Sequence, residues 1–75
     1  MVPESSIKAV LERLAELDAQ NVVGTLANVS EIFGGDSATQ MMSAKKALDE
    51  CLARGLVDGG GTVFTINDAG RDFIK

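Results

Sequence analysis

Thr39, Gln40, Ser43, Lys45, Lys46 and Arg54 are the side chains best equipped for chemistry, and they fall in one short stretch. Hydroxyl and amide groups of this kind hydrogen-bond base edges or phosphates, and lysine or arginine holds a phosphate backbone. The chemistry on offer is therefore polyanion binding. Covalent catalysis is poorly supplied. The chain has no histidine, which removes imidazole acid/base work, and Cys51 is its only cysteine, which excludes an intrachain disulfide and a cysteine metal cage. The carboxylates Glu12 and Glu16 have helical neighbours of opposite sign in Lys8 and Arg13, the pattern of a solvated face. Gly59-Gly60-Gly61 lacks the lysine and Ser/Thr of a phosphate-binding loop. Neither an enzyme, nor a metal site, nor a cofactor is expected. Cys51 reads as a small core residue.

The elements that must position these residues belong to a small protein. Seventy-five residues with 45% apolar content make one domain, 1–75, with one core. Phe33, Phe64 and Phe73 are the only aromatics, so aliphatic side chains do most of the filling. No basic segment precedes an apolar run, and no apolar run approaches the ~18 residues of a membrane span. A soluble cytoplasmic protein is expected.

Helical periodicity is clearest at Ile7, Val10, Leu11, Leu14 and Leu17, which predicts a helix from about Ser6 to Asp18 capped by Ser5 or Ser6 behind Pro3. A second helix is expected over about 23–33 from Leu26, Val29, Ile32 and Phe33, closed by Gly34-Gly35. Asp36 or Ser37 caps a third, running to Arg54 with Gly55 just past its end. Its inner face is Met41, Ala44, Leu48, Cys51 and Leu52; its outer face is Met42, Lys45, Lys46, Asp49 and Ala53. Leu56-Val57, a tip at Asp58-Gly59-Gly60-Gly61, and 62–66 read as a hairpin. Asn67 caps a last short helix that returns Phe73 and Ile74 to the core.

Three runs carry a family resemblance. Leu48-x-x-Cys51-x-x-x-Gly55-Leu56-Val57 looks like the end of a recognition helix entering the first wing strand of small bacterial, archaeal or viral winged-helix regulators. Phe64-Thr65-Ile66-Asn67-Asp68-Ala69-Gly70-Arg71 is similar to that family's second wing strand and the cap after it. Leu26-Ala27 resembles the opening of the first helix of its turn motif. The resemblance spans nearly the whole chain. It implies an α+β winged helix-turn-helix: a three-helix core, a two-stranded β-wing and a short C-terminal helix. It also implies a DNA-binding transcription regulator with helix 37–54 in the major groove; with only three phosphate-competent cations per chain, useful affinity would need a dimer or a larger assembly. The wing tip departs from the family in carrying no Arg or Lys.

Charge sets a second expectation beside the first. The chain is net −4: residues 1–36 contribute −4, 37–57 contribute +1, and 58–75 contribute −1. Duplex binding rests on phosphate neutralisation, so the stretch holding Lys45, Lys46 and Arg54 is the only suitable footprint. The alternative is a winged helix that binds a protein partner instead of DNA. The acidic first helix or the Met42 outer face would then be the docking surface, with Val22 and Val23 as candidates for a homodimer seam.

Overall fold

The computed structural model describes residues 2–35 and 37–75. It is α+β, with helices α1 (Glu4–Ala19), α2 (Leu26–Ser30), α3 (Ala38–Ala53) and α4 (Asp68–Phe73), and a two-stranded antiparallel sheet of β1 (Val57–Gly60) and β2 (Val63–Ile66).

The expected apolar stripe of α1 is its buried face: Ile7, Val10, Leu11, Leu14 and Leu17. Its start is earlier than Ser6, and neither Ser5 nor Ser6 caps it. Pro3 occupies the cap position with φ −64°. The proline ring pre-sets that angle, and the Pro3 carbonyl accepts from the Ser6 and Ile7 amides at 3.1 and 3.2 Å. At the far end Asn21 takes φ 57°, a left-handed conformation that asparagine tolerates. The Asn21 and Val22 amides then bond back to Asp18 and Leu17, the Schellman arrangement that satisfies terminal carbonyls.

The second helix is shorter than expected. It begins at Leu26, not Val23, because Thr25 caps it: its Oγ1 accepts from the Asn28 amide at 3.1 Å. Residues 22–24 are outside any helix: the Thr25 amide turns back to the Val23 carbonyl at 2.9 Å, and the segment ending at Thr25 lies along β2. The Phe64 amide donates to the Gly24 carbonyl at 2.8 Å, and the Leu26 amide to the Thr62 carbonyl at 3.0 Å. Only glycine fits at 24, since a Cβ there would collide with the Phe64 carbonyl oxygen. After Ser30 the chain tightens into a 3₁₀ turn, Glu31–Phe33, closed by Gly34 at φ 109°. Tightening to three residues per turn rotates Ile32 out of the α-helical stripe, leaving it exposed, while Phe33 stays half-buried against the core.

Helix α3 follows expectation at Ala44, Leu48, Cys51 and Leu52, but Met41 is only half-buried and lies outside the core cluster, while Ala47 takes a place on the buried face. Ala44, Ala47, Leu48 and Cys51 are buried, with Leu52 packed against them. Ser37 stands at the cap position but makes no side-chain capping bond; the alternative cap, Asp36, lies outside the described residues. Gly55 at φ 71° ends the helix as a second Schellman turn, with Gly55 and Leu56 amides on Leu52 and Cys51 carbonyls.

The hairpin tip is tighter than the four residues 58–61. Asp58, Gly59 and Gly60 belong to β1, paired with Thr65, Phe64 and Val63, so the turn is Gly61-Thr62 alone. Two-residue turns with glycine at positive φ match the natural twist of paired strands, and Gly61 has φ 65°. Asn67 caps α4 through Oδ1 on the Gly70 amide at 2.9 Å. Phe73 does not return to the core. Gly70 of α4 and Ile74 just past its end, four apart, face inward, which leaves Phe73 exposed at the rim.

Candidate nucleic-acid interface

Burial of one α3 face against α1, α2 and β1 turns the opposite face outward. Positions three and four apart on a helix are neighbours, so Thr39, Met42, Ser43 and Lys46 form one continuous outer patch, and all four are exposed. The sequence from Ala38 to Leu48 contains no acidic residue. Within that span the patch offers two hydroxyls, one ammonium and one thioether.

The other expected site residues stand apart. Gln40 is half-buried beside Gly34, and its Oε1 is buried with no hydrogen-bond partner among the described residues. Lys45 lies at the margin of the patch with its Nζ 2.6 Å from the Asp49 carboxylate. Arg54, fifteen residues on from Thr39, is displaced from it by roughly 20 Å along the axis at 1.5 Å per residue. Its Nε donates to Glu50 at 2.8 Å, and Glu4 lies 4.0 Å from its guanidinium. Two of the three cations on this element are therefore already facing carboxylates. Lys46 has no carboxylate within 4.0 Å among the described residues.

The i,i+4 spacings of Lys45–Asp49 and Glu50–Arg54 were visible in the sequence as a signal that these cations are partly engaged. Elsewhere Arg13 reaches both Glu16 and Glu31, at 2.8 Å from the latter, and donates to the Asn28 carbonyl. Lys8 and Glu12, expected as neighbours, do not come within 4.0 Å. One turn of helix aligns them, yet both long side chains extend into solvent, where pairing gains little.

Val22 and Val23 are exposed at 41% and 56%, and Met42 at 61%. The valines lie beside Val63 around a depression on the sheet side, a different surface from the α3 patch. Cys51 is fully buried behind α3; burial pushes its thiol up to about 11, with Arg54 lowering it and Glu50 raising it less strongly. A neutral thiol is a poor nucleophile and a poor metal ligand. No helix among the described residues is long and apolar enough to cross a membrane.

No family model matches the chain, and no curated protein and no solved structure matches it either.

Proposed function

We propose that the chain is a winged helix-turn-helix domain that binds duplex DNA through α3, as a small transcription regulator in the cytoplasm. The observation that carries this reading is the outer face of the first three turns of α3, where Thr39, Ser43 and Lys46 lie exposed with no acidic residue among them. Element order supports it too. A long helix, an extended segment bridged to β2, a short helix, a tight turn, a second long helix and a hairpin is the order of that fold. Lys46 and, once released from Asp49, Lys45 would neutralise phosphates while Thr39 and Ser43 reach base edges or backbone oxygens. Few cations per chain mean weak binding by one copy, so a dimer is part of the reading.

Duplex binding at two salt concentrations tests it. The double variant Lys45→Glu with Lys46→Glu is expected to abolish binding while leaving the circular dichroism spectrum unchanged. Wild-type affinity in that variant would sink the assignment of α3.

A second reading is favoured by a specific observation. Met42 is 61% exposed at the centre of the same patch, an adaptable apolar side chain suited to a protein partner. Met42→Asp is expected to destroy such a complex and change stability by no more than about 0.5 kcal/mol, as at other exposed positions. A large stability loss would instead make Met42 a packing residue.

A further inference from the structure

Five of the seven cations, Arg13, Lys45, Arg54, Arg71 and Lys75, have a carboxylate within 4.0 Å. Lys8, with no such partner among the described residues, shares its depression with Glu4. Lys46 is different. It lines a depression of about 300 Å³ with Ser43 of α3, Ser6 of α1, and Val2, Pro3 and Phe33. No described acidic residue borders it. Three other depressions each have carboxylates on the rim: Asp18 in one, Glu12, Glu16 and Glu31 in the next, Glu4 in the third. In a chain with eleven acidic residues, this acid-free lining around a cation is the feature that needs explaining.

An oxyanion needs one positive charge and hydroxyl or amide donors for its remaining lone pairs. Lys46 supplies three N–H donors, and Ser6 and Ser43 supply one O–H each. The apolar wall suits the carbon face of an adjoining sugar and offers no competing acceptor. We propose that Ser6, Ser43 and Lys46 form a phosphate site, filled by a backbone phosphate of the duplex. This rests on the DNA-binding reading above. It adds α1 to the interface, so that a single phosphate bridges α1 and α3 and sets the angle at which α3 meets the groove. It also ranks the lysine pair: Lys46 makes its contact in full, whereas a phosphate brought to Lys45 meets Asp49 as well.

The test is duplex affinity against salt for wild type, Lys46→Gln, Lys45→Gln and Ser6→Ala, with inorganic phosphate titrated separately and followed by backbone amide shifts. Each phosphate contact contributes a slope of about 0.9 in log affinity against log salt, or roughly a 3.5-fold change between 50 and 200 mM. Lys46→Gln is expected to lower the slope by about one contact. Ser6→Ala should weaken binding several-fold at unchanged slope, since a hydroxyl carries no charge, and Lys45→Gln should lower the slope less than Lys46→Gln does. Duplex binding that neither Lys46→Gln nor Ser6→Ala alters overturns the phosphate site and leaves the DNA reading standing. Absence of duplex binding overturns the DNA reading, and the phosphate arm then decides. Shifts at Ser6, Ser43 and Lys46 that vanish in Lys46→Gln would support the site with a free phosphate as its ligand; no such shifts would remove it.

Discussion

Cys51 shows how far one side chain's chemistry is set by its neighbours. Its place on the apolar stripe is readable from spacing, and the structure buries it completely. Burial raises the thiol from an ordinary 9.0 to about 11, so the folded state keeps its proton where the unfolded chain has begun to lose it. The unfolded state then binds fewer protons, and stability falls as pH rises. The contribution is fully present below pH 9 and lost between about 9 and about 11, amounting to roughly 2–3 kcal/mol at 1.36 kcal/mol per pH unit. Denaturant titrations at pH 8 and 10.5 should show this loss, and Cys51→Ala should flatten it. At pH 8 a thiol reagent should label Cys51 far more slowly in native protein than in denaturant; equal rates would contradict the burial. Lys45 illustrates the opposite case, because its type and exposure were legible while its pairing with Asp49 governs what it can hold.

Elements are delimited by a few side chains, and those side chains account for what the sequence did and did not disclose. The ends marked by Gly34, Gly55 and Asn67 could be placed because only a left-handed glycine or a capping amide serves there. The start of α2 could not. Val22, Val23 and Gly24 continue the apolar run into Leu26, and only a tertiary partner, β2, decides that they are not helical. The same holds for Ser6, whose membership of a depression with α3 depends on how two helices cross, which periodicity does not encode. Caps give a test at this scale. Thr25→Ala and Asn67→Ala should each cost about 1 kcal/mol. Asn67→Ala should cost the more, because Nδ2 also holds the Gly55 carbonyl at 2.9 Å. Ser37→Ala should stay within about 0.5 kcal/mol, since Ser37 makes no side-chain capping bond. Urea midpoints of the three variants would check the order, and a Ser37→Ala loss equal to that of Thr25→Ala would refute it.

Over the whole molecule, the Cα radius of gyration of 10.8 Å agrees with the ~11 Å expected for 75 residues in one compact body. The seven ion pairs among the described residues are mostly exposed, where such pairs contribute about 0–1 kcal/mol each, so the buried apolar cluster and its backbone ties carry the stability. One of those ties has a dynamic consequence. The Phe64 amide donates to the Gly24 carbonyl across forty residues of chain, and both residues are buried. Freeing that proton requires the segment after α1 to part from the hairpin, which opens the core shared by both ends of the sequence. Its exchange with deuterium should therefore proceed only through global opening, with a protection factor equal to the folding equilibrium constant. The Met41 amide, bonded to Ser37 at the first turn of α3, can be released by fraying alone and should exchange much sooner. Equal rates for the two protons would mean that the molecule opens along the seam between residue 24 and β2 before it unfolds.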